Sequence, residues 1–439
     1  MPSLDAVVLA DAPGANARVV GLTLAERARR VAVRAGARRV LVAVDRSAIR
    51  TWWSDSPADQ LLVIRATDQM VHTPLVTALV ATPDVCAIAV APADAAAPDV
   101  SPRGYAGAMV ARGHSANEVV ESLACGDDDR AVAGRAVAAG AAEVPHGEIA
   151  RYPATTRAER KAAARLLYRI IHKSQDNAIT RYLYRPVSFP LTRLLVHTPV
   201  TPNQVSYAVA VLVAFGCWLT ARGSMISAIA GTAVVLAASY VDCCDGEIAR
   251  LKLLSSRFGA WLDTVIDELS QIAYLIALGL HCRYWFGIDY FGDLGFDLWA
   301  WAIVVGTVTY ALTIYCVYYN IIVVVGSANS QDYVGRFEVV SGDRPGTVRL
   351  RPAAAQAIAA GDDLHPALKW LATYLPYVVR KDFISWGALI LACLYLTQVT
   401  FALLVLGGVV TAVIVTIDHL KLRAQLRAIA RRGETVLVR

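Results

Sequence analysis

Between residues 242 and 267 the chain sets four aspartates in largely apolar sequence: Asp242-Cys-Cys-Asp245-Gly246-Glu-Ile-Ala249-Arg250, then after eight residues Gly259, followed by Asp263 and Asp267. Carboxylates in or beside a membrane-length helix are costly to leave unpaired, so four together point to metal ions and a functional site. At about 100° per residue, Asp242, Asp245, Gly246, Ala249 and Arg250 share one broad stripe of a first helix, and Gly259, Asp263 and Asp267 form a stripe on a second. Two carboxylate-bearing faces can then meet across a helical hairpin. The plainer alternative, acids neutralised by salt bridges, needs basic partners within the spans, and the local sequence offers almost none besides Arg250.

The elements that carry these acids belong to an apolar chain. Of its 439 residues, 56% are hydrophobic, and the mean hydropathy is +0.46. That excludes an ordinary soluble protein and indicates a membrane protein with a soluble portion. Six transmembrane helices are expected at 203–221, 225–250, 257–281, 297–325, 383–398 and 400–417, with the fifth short and nearly touching the sixth. Six spans put both termini on one side. Arg250, Lys252 and Arg257 between spans two and three, and Lys421, Arg423, Arg427, Arg431 and Arg432 in the tail, place that side in the cytoplasm. The opposite loop, 281–297, carries Asp289, Asp293 and Asp297 against Arg283, with Tyr284, Trp285, Phe286 and Tyr290 suited to an interface belt. An insert at 326–381 separates spans four and five, and a basic tail fills 421–439.

The remaining composition is restrictive. Eight cysteines without a CxxC pair, several inside apolar spans, indicate neither a zinc site nor a disulfide scaffold. A formal net charge of +6 without an aromatic and basic module argues against nucleic acid and for lipid phosphates or an anionic substrate. The amino terminus lacks a basic patch followed by an apolar core, so no signal peptide is expected. Residues 1–150 alternate short apolar runs (Asp5 to Ala10, Arg39 to Val44, Leu61 to Arg65, Val85 to Val90) with helical patterns (Leu22 to Ala35, Pro74 to Val80), the rhythm of an α/β sheet domain. In 151–200, Leu166 and Ile170, like Leu167 and Ile171, recur at helical spacing opposite Arg160, Lys161, Arg165 and Arg169. This suggests an amphipathic helix on the membrane surface.

Written as Asp-x2-Asp-Gly-x2-Ala-Arg-x8-Gly-x3-Asp-x3-Asp, residues 242–267 resemble the CDP-alcohol phosphotransferase family without departure from its motif. Eight fixed positions, each matched by chance about one time in twenty, make coincidence negligible. Asp176-Asn-Ala-Ile-Thr-Arg-Tyr-Leu-Tyr-Arg-Pro-Val-Ser, Thr201-Pro-Asn-Gln-Val-Ser and Arg380-Lys-Asp-Phe383 extend the likeness to about residues 175–420 and to members with a fused cytidylyltransferase-like domain. The resemblance implies a membrane transferase that moves a substituted phosphoryl group from a CDP-alcohol, such as CDP-diacylglycerol, to an alcohol or polyol-phosphate acceptor and releases CMP. It implies two Mg²⁺ ions, with Mn²⁺ as a substitute, held by Asp242, Asp245, Asp263 and Asp267, and Asp267 as general base. CDP would lie against Asp242, Gly246, Ala249, Arg250, Gly259 and Asn203. Gly246 and Ala249 remove bulk where a nucleotide approaches, and Arg250 offers phosphate a planar fork of donors. Lys252, Arg257 and Lys381 are candidates for an acceptor phosphate, or simply cytoplasmic-side charges. A homodimer is expected from the family.

The first domain is similar to sugar-nucleotide nucleotidyltransferases through Gly21-Leu-Thr-Leu-Ala-Glu-Arg-Ala-Arg-Arg and Ala66-Thr-Asp-Gln-Met-Val-His-Thr-Pro-Leu-Val. That likeness implies a glycine-rich loop near 11–20 and a metal-binding Asp68. The loop here lacks the required glycine density, so an inactive or regulatory descendant is expected. Two other readings stay open: an aspartate-rich membrane prenyltransferase, and a nucleotide-sensing scaffold without catalysis. Tyr310, Tyr315, Tyr318, Tyr319 and Asn320 fit either an acceptor pocket or an interfacial band.

Overall fold

The computed structural model describes residues 2–90, 104–145, 151–171, 180–292, 295–325, 333, 335, 337–341, 347–352 and 381–436. The chain forms two compact units. The first comprises Met1–Asp176, Thr192–Val200 and Glu247–Leu254; the second comprises Asn177–Leu191, Thr201–Gly246 and Ser255–Arg439.

In the first unit, β1 (Leu4–Leu9) is followed by the short pair β2 (Arg18–Val19) and β3 (Leu22–Thr23), then α1 (Leu24–Arg34), β4 (Arg39–Ala43), α2 (Ala48–Asp55), β5 (Gln60–Arg65), β6 (Gln69–Val71), α3 (Thr73–Ala81), β7 (Cys86–Val90), β8 (Tyr105–Arg112), α4 (His114–Ala124), α5 (Asp129–Ala138), β9 (Ala142–Pro145), β10 (Arg151–Pro153) and α6 (Arg157–Ile170). Six strands make one sheet in the order β4-β1-β5-β8-β7-β9. β8 runs antiparallel to both neighbours, and the other pairings are parallel. β1, β5 and nearly all of β8 are buried along their length, as expected of strands covered on both faces. Ile49 and Trp53 of α2, Val119 and Leu123 of α4 and Val132 of α5 close one core over Val7, Leu61, Val63 and Met109. Asp5 is fully buried, yet Arg38 and Arg39 hold it at 3.1 and 2.7 Å. Burial alone would push its carboxyl up, but the two arginines outweigh that and lower it.

The expected strands and helices of residues 1–90 are present to within a residue or two. β8, α4 and α5 were not anticipated: Tyr105–Arg112 is interrupted by small residues and lacks clean alternation. α6 begins in a capping box between Thr156 and Glu159, and its Ala163, Leu167 and Ile171 are buried within the unit. Its apolar stripe is therefore largely used inside the protein.

The second unit is helical. After α7 (Arg185–Leu195) come α8 (Pro202–Thr220), α9 (Met225–Leu251), α10 (Arg257–Phe286) and α11 (Leu298–Tyr319), which runs into a π-helical turn at Asn320–Val325; then α12 (Lys381–Cys393) and α13 (Thr397–Arg431). Among the described residues, five helices are long and apolar enough to cross a membrane, and Phe383–Cys393 is a shorter apolar helix. Of the fifth expected span the structure describes α12, which ends before a turn where Tyr395 takes φ +63°. Outward faces carry exposed Val211, Phe215, Trp218, Leu403, Leu406 and Val410, the surface that lipid requires.

Small residues let these helices approach. A Cβ on Gly231 would stand 2.5 Å from the Gly216 carbonyl oxygen, and one on Gly279 would meet Ile303 at 2.4 Å. α13 continues well past its apolar stretch, so most of the basic tail is the end of a helix. Of the insert, only 333, 335, 337–341, 347–352 and the start of α12 at Lys381 are described. There β11 (Phe337–Ser341) pairs antiparallel with β12 (Thr347–Pro352), and β12 pairs with β13 (Thr435–Val436) from the tail. Insert and tail thus form one small sheet, with Phe337 and Val324 packed on Leu422.

Candidate active site

α8 starts with Thr201 as N-cap, its hydroxyl accepting from the Gln204 amide while the Gln204 side chain returns to the Thr201 amide; Pro202 fills the first turn, where no amide is missed. This start fixes two side chains on one face. Asn203 Oδ1 lies where a Cβ on Gly259 would be 3.1 Å away, so the bare glycine admits the asparagine. Ser206, buried, donates its hydroxyl to Asp245 Oδ2 at 2.7 Å. α10 begins under its own cap, Ser256 Oγ accepting from the Gly259 amide at 2.9 Å. Asn203 therefore sits beside Gly259, while Thr201-Pro-Asn also serves as a helix start.

Asp242 and Asp245 of α9 and Asp263 of α10 each offer a carboxylate oxygen, and these oxygens all lie within 4.8 Å of one another. Like charges at that distance repel by roughly 3 kcal/mol per pair in a partly wet site, so the group is stable only with positive charge among it. The donor set is wholly carboxylate oxygen, which fits a hard divalent cation such as Mg²⁺ that completes its shell with water and phosphate. Asp267, one turn beyond Asp263, lines a cavity of about 70 Å³ together with Asp242. The cavity runs between α8, α9, α10, α12 and α13. Beyond the two aspartates its polar lining is Ser239, Ser270, Gln271, Ser385 and Thr232 with Tyr274, and the rest is aliphatic, including Val209 and Leu236. Thr232 and Tyr274 share a hydroxyl–hydroxyl hydrogen bond of 2.9 Å.

Other expected residues have mixed fates. Gly246 follows Asp245 on α9. Ala249 and Arg250 occupy its last turn, in the stretch Glu247–Leu254 of the first unit. That turn ends in a Schellman pattern: the Leu254 amide reaches the Ala249 carbonyl at 2.8 Å and the Leu253 amide the Arg250 carbonyl at 3.3 Å. Leu253, not glycine, takes the left-handed position at φ +55°, at a cost of about 1–2 kcal/mol. Lys252 is buried and its ammonium donates to the Thr198 and Val200 carbonyl oxygens at 2.6 and 2.8 Å, which gives it a structural duty. Arg257 is exposed at the first position of α10; the Lys381 side chain lies outside the described residues.

Tyr310 and Tyr318 turn inward and donate to Glu268 at 3.1 and 3.3 Å, whereas Tyr315 and Tyr319 pack on His419. Ser206, Glu268 and the cavity hydroxyls escaped the sequence reading. Ser206 alone left a trace, three residues after Asn203 on the same face.

In the first unit the loop expected near 11–20 is a 3-10 turn at Pro13–Asn16, where a Cβ on Gly14 would be 2.0 Å from the Thr67 carbonyl oxygen. Asp68 accepts from Arg65 at 3.1 Å and from Arg130 at 3.4 Å. Behind it Asp129, almost fully buried, faces Arg65 at 3.6 Å. Its carboxyl is pushed up to about 6 by burial, with Arg65 opposing.

Residues 199–413 match the model of the CDP-alcohol phosphatidyltransferase family. The chain thus carries a CDP-alcohol phosphatidyltransferase domain within an integral membrane protein. It is 32% identical over 146 residues to the bifunctional IPC transferase and DIPP synthase of Aquifex aeolicus, covering 32% of this chain and 33% of that protein. To the proteins of the same name from Rubrobacter xylanophilus and Thermococcus kodakarensis it is 35% identical over 105 residues (24% of this chain, 23% of the relative) and 31% over 121 residues (27% of each). The similar stretch spans a third or less of each of these curated relatives.

Proposed function

We propose that the protein transfers a substituted phosphoryl group from a CDP-alcohol to the hydroxyl of a polyol-phosphate acceptor, such as inositol phosphate, and releases CMP, within phospholipid or phosphodiester biosynthesis. The observation that carries this reading is the meeting of Asp242, Asp245 and Asp263 within 4.8 Å, with Asp267 and Asp242 on one cavity wall. The transferase and synthase in the relatives' name support a transfer reaction of this kind.

Asp242, Asp245 and Asp263, with Asp267 at the edge, would hold divalent ions, which when bound neutralise the diphosphate and the leaving phosphate. Ser206 fixes the rotamer of Asp245 through its hydrogen bond. Gly259 and Asn203 frame the cytidine, and Arg250 forks onto phosphate. Asp267 accepts the acceptor's proton as its oxygen attacks the phosphorus bearing the alcohol; the new P–O bond forms, the bond to the bridging oxygen breaks, and the electron pair leaves with CMP. The chain crosses the membrane six times, α12 included, with the site toward the cytoplasm, and works as a homodimer.

In this reading the first unit does not transfer nucleotides, since Arg65 and Arg130 already neutralise Asp68. The test is CMP release by the purified protein with a panel of CDP-alcohols and phosphorylated polyols in Mg²⁺. Asp267→Asn is expected to bind the CDP-alcohol but lose about 10²–10⁴ in turnover. Pyrophosphate release in place of CMP would instead support a prenyl transfer, and full activity of the variant would remove the base assignment.

A further inference from the structure

The last turn of α9 holds a strained cap, and the first unit surrounds it. Arg30 of α1 donates Nη1 to the carbonyl oxygen of Lys252, the C-cap residue, at 2.7 Å. A cation at a helix C-terminus meets both an orphan carbonyl and the negative end of the helix dipole. Arg30 is itself aimed: Glu26, one turn earlier, accepts from its Nε at 2.6 Å and from Arg29 at 2.7 and 2.9 Å. Glu26 is in turn set by the helix start, its amide donating to the Thr23 hydroxyl at 3.1 Å.

A second grip lies alongside. The Lys252 ammonium holds the Thr198 and Val200 carbonyl oxygens. Two residues upstream, the Val196 carbonyl oxygen abuts Gly21, where a Cβ would be 2.1 Å away. Gly21 is at the tip of the β2–β3 pair that leads into α1, at φ +77°. Arg27 ties that pair to the helix through the Val19 carbonyl oxygen at 3.2 Å. The contacts form a closed ring: α1 to Lys252, Lys252 to 198–200, and 196 back to the pair that precedes α1. A left-handed non-glycine residue persists only where its surroundings over-determine it, and this ring does so for Leu253.

We propose that Arg30 is a positioning residue for transfer: through the Lys252 carbonyl it keeps the last turn of α9, and with it Arg250, in its working conformation. This gives the first unit a duty that needs no nucleotidyl transfer of its own, and it rests on the proposed reaction.

The test uses the full-length protein in detergent with CDP-alcohol and acceptor. Arg30→Met is expected to raise the KM for the CDP-alcohol about 5–30-fold with a smaller change in kcat, the scale of one released backbone strain. Leu253→Gly in that background should return KM to within about threefold of the wild type, because glycine takes φ +55° freely. Arg29→Ala, which leaves Arg30 on Glu26, should be neutral. Hydrogen exchange of the peptide 247–254 gives a readout independent of activity: faster in Arg30→Met and restored by Leu253→Gly. Unchanged exchange, or lower kcat at unchanged KM without rescue, overturns the inference. Altered exchange in a protein whose wild type releases no CMP overturns the proposed reaction and leaves the support of the α9 turn by Arg30 standing.

Discussion

Asp68 and Asp129 in the first unit face arginine, whereas Asp242, Asp245 and Asp263 in the second face one another. Arg65 meets both acids of the first group, at 3.1 and 3.6 Å, and Arg130 meets Asp68. A carboxylate whose neighbour is a guanidinium is neutralised by the chain itself, and a metal ion would have to displace that partner. A group of carboxylates converging on one another is instead a set of hard oxygen donors that a divalent cation from solution can join. The comparison teaches that acid content does not define a metal site. The charge of what faces the acids does.

Substitutions can break this contrast. Asp245→Asn and Asp263→Asn each remove one oxygen anion from the converging group, and CMP release should fall by about 10³-fold or more, with the apparent Mg²⁺ requirement shifted upward. A loss below tenfold at saturating Mg²⁺ would mean that the group does not hold the ions. Ser206→Ala leaves all carboxylates in place but frees Asp245, so about a tenfold loss is expected, about the contribution of one hydrogen bond to a charged group. Recovery with Ser206→Thr would tie the effect to the hydroxyl.

On the arginine-paired side the effects are smaller and concern stability. The carboxyl of Asp129, at about 6 in the folded state against an ordinary value near 3.8, binds more protons folded than unfolded between those values. Its contribution is therefore present below about pH 4 and is lost as pH rises to about 6, by roughly 1–3 kcal/mol. Thermal melts of the whole protein should show the first unit's midpoint falling over that window, and Asp129→Asn should flatten this component. Asp68→Asn should leave CMP release within about twofold of the wild type. A tenfold loss there would show that the first unit acts in transfer through this acid.

Much of the site is visible in the chain because its spacing is local. Asp242 and Asp245, three apart, and Asp263 and Asp267, four apart, must share helix faces once helices form, and a membrane-length helix forms because no other backbone satisfies itself in lipid. The sheet of the first unit is equally plain through Arg65, where apolar runs are continuous, and fades at Tyr105–Arg112, where small residues blur the pattern. The turn at Tyr395 that follows α12 was hidden by a hydropathy signal that continues through it into α13.

The sequence by itself determined which acids stand on which helix faces, that these helices are apolar enough for a bilayer, and that the family motif is complete, since each follows from residue type and helical period. The tertiary structure alone decided that three of the four carboxylates converge within 4.8 Å, that Ser206 holds one of them, and that Lys252 grips carbonyl oxygens rather than standing open for phosphate. It also decided that Asp68 is matched by Arg130, sixty-two residues away in the chain. Such pairings depend on how separate elements pack, and no local period records the partner of a charge that comes from elsewhere in the chain.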